Sequence, residues 1–438
     1  MLAAVLAVAL SQWGPEPSPG MQQYDPGSVC QRTGGRCFLN RSGNRPRENY
    51  AFFEFAPASG AGMGTACACT TPTGAKGETM TYVRAGSATC SKQGLATTGI
   101  TNGDLVVCTA NQPRVESSGG VLGLRVEGSR TNVLTRSSEL DNAAWTLDFA
   151  GGGVIPTRTA NAATAPDGTT SAERLQFSSC PTSGDSSSIY QLHATSGASA
   201  STVYCRGNAS TQNISICSFG SGGSSGCSSV SCPSTSWSRV QDLRTATGTG
   251  GIVIGCNNSA SYAGASNTGA ADVFLWQAQQ EMGATYATSP IPTVAAAVTR
   301  NQESPSFTLG SAVGPSASIA ASVQWPSTAV GAVNYLALGN VGDNMTLYRT
   351  NDTGAGYQIV ATITAPAVAS MGTTVHRAAL ADASGTRSAF WDLGSVAAPA
   401  ASMAASVSTV WIGRNVGGTN ADGIVTRVCV DPDPTRCR

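Results

Sequence analysis

The stretch ASIAASVQW (residues 317–325) alternates, because every second side chain from Ile319 to Trp325 is apolar or small enough to face a core. YQIVATIT (residues 357–364) repeats the pattern. Side chains two apart lie on the same face of a strand, so each stretch predicts a half-buried strand. Similar short runs lie at 333–338, 345–350, 375–381, 387–392, 408–413 and 423–430. Roughly eight short strands separated by turn clusters are typical of a β-sandwich.

The region upstream repeats this pattern in a sequence richer in serine and glycine. Strand candidates lie at 123–127, 171–177, 187–193, 201–205, 213–218, 236–243, 251–255 and 271–278. They predict another sandwich, whereas the preceding region has only short candidates, at 51–55, 80–83 and 104–108. The predicted fold class is all-β, with two jelly-roll-like β-sandwiches behind a small disulfide-rich N-terminal β region. The predicted divisions are an apolar segment at 1–20, a Cys-rich region at 21–118, a first sandwich at 119–300 and a second at 301–438.

Composition excludes several classes of partner. The 438 residues include 25 basic and 25 acidic side chains, and charged residues make up only 11% of the chain, against about 25% in average soluble proteins. A neutral chain without a basic run predicts binding to neither nucleic acid nor anionic lipid. The apolar run Leu2–Leu10 is too short to span a bilayer as a helix. Two interpretations of it stay open: a secretory signal without the usual positive start, or a retained segment that packs against a partner.

The 14 cysteines indicate disulfides in an oxidising, extracellular setting. Six lie before residue 120, six between 120 and 300, and two at the C-terminus, so every region has an even number. A zinc site is the weaker alternative, because the chain has no CxxC pair and its one CxC, Cys67 and Cys69, lacks a matching pair.

Few side chains could carry a reaction. The last glutamate is Glu303, and the later aspartates mostly occupy turn contexts, so the second sandwich lacks an evident carboxyl pair for glycoside hydrolysis. The two histidines, His193 and His376, fall in different predicted domains, which leaves a Ser-His-Asp triad little support. The one GxSxG match, centred on Ser224, lies in a Ser/Gly-rich loop without a strand-to-helix elbow. We therefore expect no enzyme, and no catalytic, cofactor-binding or metal-binding residue.

Aromatic side chains are the remaining candidates, because sugar rings stack on exposed aromatics. Three tryptophans lie in blocks of sequence that resemble parts of a known module, and they are therefore expected in the core: Trp145, Trp237 and Trp276. The candidate platforms are Tyr190, Tyr204 and Tyr262. Sequence does not reveal which tyrosine is exposed, so no ligand-binding residue is assigned.

Four ordered blocks within 119–300 resemble a module common in virion proteins of tailed bacteriophages, whose usual form begins GLLIEGARTNLL and ends AAVTR. The blocks are GLRVEGSRTNVLTRSSELDNAAWT (Gly123–Thr146), TAPDGTTSAERL (Thr164–Leu175), TSWSRV (Thr235–Val240) and DVFLWQAQQEMGATYATSPIPTVAAAVTR (Asp272–Arg300). TYVRAGS (Thr81–Ser87) and NQPRVE (Asn111–Glu116) resemble the lead-in of the same proteins. The resemblance implies a location on a virion.

The second sandwich more loosely resembles the laminin-G or concanavalin-like fold. TTVHRAALADASGTRSAFWDLG (Thr373–Gly394) is similar to that family's hairpin, and WIGRNVGGTNADGIVTRVCV (Trp411–Val430) to its last two strands. His376 stands where the family also has histidine, which favours a packing or hydrogen-bonding role. Val375 replaces the usual tryptophan and the family's acidic calcium ligands are missing, so no calcium site is expected.

Together these resemblances imply a non-enzymatic structural protein on the exterior of a tailed-phage virion, as a fibre, spike or decoration that contacts host surface glycans. The expected partners are other virion proteins, further copies of the chain and host glycans, with no nucleic acid, membrane span or cofactor. The alternatives are a secreted bacterial adhesin or lectin, and a polysaccharide depolymerase.

The local disulfides predicted from sequence spacing are Cys429–Cys437 and Cys30–Cys37. Closing so short a loop stabilises by roughly 2 to 3 kcal/mol in the chain-entropy model, and the first pair would hold a terminus that otherwise frays. Peptide mapping without reduction should recover the Cys429–Cys437 bridge. Free thiols at both positions in the purified protein would contradict it.

Overall fold

A computed structural model describes residues 31–33, 36–38, 51–54, 67, 69, 79–118, 121–221, 226–258, 267–313, 317–324, 333–338, 345–351, 354–359, 361–364, 376–383, 386–391, 394–399, 407–412 and 423–431. Two compact units divide the chain: residues 1–47 with 58–60, and residues 48–57 with 61–438. Only one hairpin is described in the first unit, and everything else below concerns the second. In these ranges no helix is long and apolar enough to cross a bilayer.

The strands are numbered in chain order. The N-terminal ones are β1 (Gln31–Thr33), β2 (Arg36–Phe38), β3 (Ala51–Glu54), β4 (Thr81–Val83), β5 (Ala88–Ser91), β6 (Leu105–Cys108), β7 (Arg114–Ser118) and β8 (Val121–Val126). The middle ones are β9 (Arg130–Asn132), β10 (Thr146–Ala150), β11 (Thr157–Thr164), β12 (Thr170–Phe177), β13 (Ser186–Gly207), β14 (Gln212–Gly220), β15 (Gly226–Cys232), β16 (Ser238–Asn257), β17 (Ala271–Met282) and β18 (Val298–Arg300). The C-terminal ones are β19 (Ser304–Val313), β20 (Ala317–Gln324), β21 (Val333–Leu338), β22 (Met345–Asn351), β23 (Gly354–Ile359), β24 (Ala361–Thr364), β25 (His376–Ala383), β26 (Thr386–Trp391), β27 (Gly394–Pro399), β28 (Val407–Ile412) and β29 (Gly423–Asp431). The all-β prediction is confirmed.

The middle strands form one antiparallel sheet in the order β11-β12-β17-β13-β16-β14-β15, with β10 on β13 and β9 between β17 and β18. Its spine is the pair β13 and β16, which stay in register from Ser186 opposite Asn257 to Cys205 opposite Ser238. The sequence predicted two short strands in place of each. The Gly/Thr/Ser stretches in their centres lack alternation, but the partner strand supplies the hydrogen bonds that keep them extended.

The core of this sandwich is aliphatic and contains cystine. Two of its disulfides, Cys180–Cys256 and Cys205–Cys232, lie among buried leucine, isoleucine and valine side chains. Trp145 is buried there and donates from Nε1 to the carbonyl of Arg136 at 3.0 Å. Trp237 and Trp276 are buried in a neighbouring cluster, so the core placement predicted for the three tryptophans is confirmed.

The C-terminal strands form two further sheets that recruit strands from the start of the chain. One runs β24-β23-β22-β21-β28-β19-β4, and the other runs β27-β26-β25-β20-β29-β8-β7 with β3 on β29. Buried apolar side chains occur on both sheets, such as Phe307 and Val410 on the first and Val428 and Val430 on the second. The pairing crosses the divisions drawn from the sequence, since β3, β4 and β7 precede residue 119. Sequence periodicity identifies strands but not their distant partners.

Within the second unit, the segment that contains β5 and β6 packs against one face of the middle sandwich. The hairpin β5–β6 is held by Cys67–Cys90 and Cys69–Cys108. In the loop between these two strands, Ile100 forms a β-bridge with Trp237 and joins the aromatic cluster of that face. The middle sandwich is therefore covered by the region that precedes it in the chain.

Five disulfides are described in all, the fifth being Cys217–Cys227. They support the extracellular setting expected from the cysteine count. Cys429 is also disulfide-bonded, but Cys437 and Cys30 lie outside the described residues, as does the side chain of Cys37. The two local pairings stay predictions.

A buried ion network joins the N-terminal region, the middle sandwich and the start of β19. Its members are Arg84, Arg114, Arg125, Glu116, Glu127, Arg300 and Glu303. Glu303 Oε1 accepts from Arg84 Nη1 at 2.9 Å and from Arg114 Nε at 2.8 Å, and its Oε2 accepts from the amide of Glu127 at 2.8 Å. Arg114 Nη2 donates to Glu127 Oε2 at 2.8 Å. Buried charges of this kind persist only when they are paired.

The pKa of Glu127 reports how strongly this network favours the ionised form. Burial by itself raises that pKa, but the guanidinium groups of Arg125, Arg300 and Arg114 more than offset it and hold the pKa well below its usual range. Glu127 therefore stays charged while the fold is intact.

Arg114→Met should destabilise the protein by about 3 to 5 kcal/mol, because it leaves part of the charge of Glu303 and Glu127 buried without its partner. Arg174→Met is the control: Arg174 pairs with Asp272 at 2.6 Å, but both side chains are about one third exposed, and such pairs contribute at most about 1 kcal/mol. Urea unfolding of both variants measures the difference. Equal losses would contradict the importance given to the network.

Candidate functional site

A polar, partly enclosed cavity lies between the N-terminal region and the middle sandwich and is here called the junction cavity. Its volume is about 130 Å³. Its lining comprises Thr89, Ser91, Gly94, Leu95, Ala96, Thr97, Glu116, Arg125, Thr202, Tyr204, Arg239, Gln241, Tyr286, Ala287, Ser289 and Pro290. Ala96, Thr97 and Gln241 are exposed and form the rim, whereas Glu116 and Arg125 are buried at the base.

The floor of the cavity follows from strand register. Thr202 lies opposite Gln241, and Tyr204 opposite Arg239, so two residues of β13 and two of β16 point to the same face. The guanidinium of Arg239 lies over the Tyr204 ring, 5.7 Å from its centroid. It also donates to the Thr288 carbonyl and to Thr202 Oγ1. Burial raises the pKa of Tyr204 to about 12, so its phenol stays protonated.

The wall comes from the turn after β5. Gly94 adopts a positive φ of 60° there and donates its amide to the carbonyl of Ser91 at 3.1 Å. A left-handed residue in such a tight turn favours glycine. The turn is fixed to the floor because the amide of Arg239 donates to the Thr97 carbonyl at 2.6 Å. The rim of the cavity therefore contains residues of both the N-terminal region and the middle sandwich.

Several hydrogen-bonding atoms of the buried base and floor have no partner among the described residues. They are Glu116 Oε2, Arg125 Nε, Arg125 Nη1 and Arg239 Nε. Glu116 Oε2 and Arg125 Nη1 are 3.8 Å apart, which is beyond hydrogen-bond range. Glu116 is 1% exposed and Arg125 is 5% exposed. Buried polar atoms are nearly always satisfied, so these atoms require either water or a ligand in the cavity.

Burial raises the pKa of Glu116, although Arg125 and Arg114 oppose the shift. Its Oε1 accepts from the amide of Ser91 at 3.0 Å. The base of the cavity therefore presents one acceptor oxygen beside guanidinium donors. That set can hold a ligand that has hydroxyl groups and a negative charge.

A second, open groove of about 360 Å³ lies along another part of β13. It is lined by Val133, Thr135, Ala144, Thr146, Tyr190, Gln191, Leu192 and His193. Tyr190 is half-buried and Leu192 is 53% exposed, so this groove has one aromatic wall. His193 contacts Gln280 Oε1 through Nε2 and the Ala194 carbonyl through Nδ1.

The tyrosines and the other candidates from sequence fall in different places. Tyr204 is buried, so the exposed platform considered for it is wrong, although its ring lines the junction cavity. Tyr190 lines the open groove, and Tyr262 and Ser224 lie outside the described residues. His376 lies in β25, where its side chain is not described. Glu116, Arg125 and Arg239 were missed, and the only sequence signal for the three is their place in the phage-like lead-in and blocks.

The sulfur atoms of Cys67, Cys90 and Cys108 lie within 4.8 Å of one another. This proximity follows from the two adjacent disulfides, Cys67–Cys90 and Cys69–Cys108. A disulfide sulfur offers no thiolate to a metal.

One isolated carboxyl lies away from both sites. Glu173 on β12 is 1% exposed, its Oε2 accepts from the amide of Asn161 at 2.9 Å, and its Oε1 has no partner among the described residues. Burial raises its pKa from 4.5 to about 7.

Comparison with known proteins leaves the family open. No protein-family model and no curated protein matches the chain. Among solved structures, it is similar to the CBM40 of Ruminococcus gnavus IT-sialidase bound to α2,3-sialyllactose, at 19% identity and a TM-score of 0.24, covering 30% of this chain and 90% of that one. It is also similar to domains LG4-5 of the mouse laminin α1 chain, at 13% identity and a TM-score of 0.23, covering 55% of this chain and 85% of that one. The third similar structure is the CBM22-1–CBM22-2 tandem of Paenibacillus barcinonensis Xyn10C, at 11% identity and a TM-score of 0.24, covering 68% of this chain and 97% of that one. At such scores the likenesses carry no argument about function.

Glu173 predicts a pH dependence of stability. Its pKa is higher in the folded than in the unfolded chain, so folding takes up a proton, and this stabilisation is full below about pH 4.5 and is lost as pH rises through about 7. The loss amounts to at most about 3 kcal/mol. Glu173→Gln should therefore gain stability over the parent protein as pH rises from 5 to 8.

Unfolding by urea at several pH values measures this difference, with Glu139→Gln as the control for removal of a surface carboxylate, since Glu139 is 44% exposed. A stability difference for Glu173→Gln that is the same at every pH would contradict the prediction.

Proposed function

We propose that this chain is a non-enzymatic structural protein on the exterior of a tailed-phage particle, where it presents β-sandwich surfaces to the surroundings and to host glycans. The proposal rests on the four ordered blocks of sequence and on what those blocks do in three dimensions. The disulfides suit a protein that stays folded in an oxidising extracellular medium.

The observation that carries the proposal is that the first and last blocks close on one another. Thr131 of β9 pairs with Thr299 of β18, and Arg130 pairs with Arg300. Arg300 Nη1 lies 3.0 Å from Glu127 Oε2. Segments about 170 residues apart in sequence (Arg130 to Arg300) thus form one hydrogen-bonded unit. A resemblance whose parts assemble into one structural unit supports the module better than scattered matches would.

Asn132 shows how completely the first block is used for structure. Its Nδ2 donates to the carbonyls of Ile291 at 2.9 Å and Ala278 at 3.3 Å. Its Oδ1 accepts from the amides of Gln280 at 3.0 Å and Leu134 at 3.2 Å. Every hydrogen-bonding position of this amide is occupied by the sandwich. The block therefore closes a scaffold.

The proposal that no reaction occurs rests on how the reactive groups are engaged. The described cysteines are in disulfides. The buried carboxylates of Glu127 and Glu303 each accept from guanidinium groups and a backbone amide. A general base must be able to approach the proton that it removes, and these two carboxylates are enclosed by their partners. His193 contacts a glutamine side chain and a carbonyl, without a nucleophile between them.

Mass spectrometry of purified phage particles tests the location. We expect peptides of the chain at a fixed copy number per particle that survives density-gradient purification, because a structural component is bound to the particle. A host periplasmic protein followed in the same gradient is the control for carry-over. Recovery only from the medium of phage-free cultures would identify a secreted adhesin instead.

Incubation of the full chain with host capsular polysaccharide tests the absence of a reaction. No new reducing or unsaturated ends should form, and their appearance would identify a depolymerase. The full chain is required because β3, β4 and β7 belong to sheets of the C-terminal sandwich.

A further inference from the structure

We propose that the junction cavity binds an acidic sugar unit of the hexuronate type, whose carboxylate is held by Arg125 and Arg239 and whose hydroxyl groups donate to Glu116. This inference deepens the proposed function, on which it rests, because it names the class of glycan that the exposed surface recognises. Three properties of the cavity support it: the unpaired atoms, the balance of charge and the size.

The unpaired atoms define both a donor and an acceptor role for the occupant. Arg125 Nη1 and Arg239 Nε need an acceptor, and Glu116 Oε2 needs a donor. The 3.8 Å gap between Glu116 Oε2 and Arg125 Nη1 is wide enough for one oxygen that hydrogen-bonds to both. A hydroxyl can donate to the carboxylate and accept from the guanidinium at once. Polyhydroxylated compounds supply several such oxygens.

The balance of charge favours an anionic occupant. Around the cavity and the adjoining network, five guanidinium groups belong to Arg84, Arg114, Arg125, Arg239 and Arg300, and four carboxylates belong to Glu116, Glu127, Glu281 and Glu303. The excess is therefore one positive charge. Within the described ranges Arg239 has no carboxylate within ion-pair distance, and Glu281 attracts it only over a longer distance. A carboxylate on the ligand balances this charge and accepts a charge-assisted hydrogen bond.

Glu116 distinguishes a sugar acid from a bare anion. Acetate would balance Arg239 but would leave Glu116 Oε2 without a donor, because an acetate ion has no hydroxyl group. A neutral hexose would satisfy Glu116 but leave the extra positive charge uncompensated. A hexuronate has both groups on one ring, so it meets both requirements.

The size of the cavity limits the ligand to one sugar unit. Its volume of about 130 Å³ lies well below the roughly 300 to 1,000 Å³ of sites for drug-sized ligands. The exposed rim at Ala96, Thr97 and Gln241 allows the remainder of a polysaccharide to continue outward. A terminal residue of a uronate-containing host polysaccharide fits this geometry.

Calorimetric titration of the full chain with glucuronate tests the proposal, with glucose and acetate as the comparison ligands. We expect glucuronate to bind, and to bind at least about tenfold more tightly than either comparison ligand, since each lacks one of the two required groups. Absence of glucuronate binding means that water alone fills the cavity, and it overturns the proposal. Equal affinity for glucose or for acetate overturns it as well.

Two variants assign the binding to this cavity. Arg239→Gln removes the unbalanced guanidinium and should weaken glucuronate binding about tenfold or more, whereas Arg174→Gln, outside the cavity, should leave it unchanged. Ala96→Trp fills the exposed rim without touching the buried network, so it provides a second test if Arg239→Gln does not fold. Unchanged binding in a folded Arg239→Gln or in Ala96→Trp would place the sugar elsewhere. A negative titration together with a positive particle inventory would remove the ligand and leave the structural role.

Discussion

A single buried carboxylate, that of Glu303, accepts hydrogen bonds from Arg84 and Arg114 of the N-terminal region and from the main chain at Glu127. Removing such a group from water is costly, and only this combination of two guanidinium groups and one amide offsets the desolvation. Glu303 immediately precedes β19, which pairs with β4 and β28. One carboxylate therefore ties together the N-terminal region, the middle sandwich and the C-terminal sheets, and the arrangement of the second unit depends on its pairing.

The network also gives a physical meaning to the low charge of the chain. Charged residues are only 11% of the sequence, yet seven of them are concentrated in one buried network. Buried ion pairs contribute little net stability, since apolar groups of equal shape often stabilise a fold to the same extent. Their advantage here is specificity, because the planar guanidinium of arginine hydrogen-bonds well only to a correctly placed carboxylate. This pairing fixes one relative register of strands that hydrophobic packing alone would specify less strictly.

Sequence predicted the elements well because strand formation is local, and it failed where partners are distant. Period-two runs located β20, β22 and β29 to within a few residues, and the burial of Trp145 was expected from its place in the first phage-like block. The continuity of β13 and β16 could not be predicted, because their glycine- and threonine-rich centres are extended only through pairing with each other. Periodicity also could not show that β4 pairs with β19, or that Tyr204 is buried in a cluster with Ile100 and Leu105. Disulfides were expected, but connectivity cannot be deduced from spacing alone.

The same reasoning explains why the candidate site had no sequence signal. Glu116 belongs to the lead-in, Arg125 to the first phage-like block and Arg239 to the third, so the cavity forms only when the N-terminal region covers the sandwich. Glu127 takes one nitrogen of Arg125, at 2.9 Å, and the other side of the guanidinium is left without a partner. The network is thus complete around Glu303 and incomplete at the edge next to the cavity. Arg300 Nε is also without a partner among the described residues, so the cavity edge is not the only incomplete part of the network. The unpaired atoms of Glu116 and Arg125 differ from it because their residues line the junction cavity, where a bound group can complete the pairing.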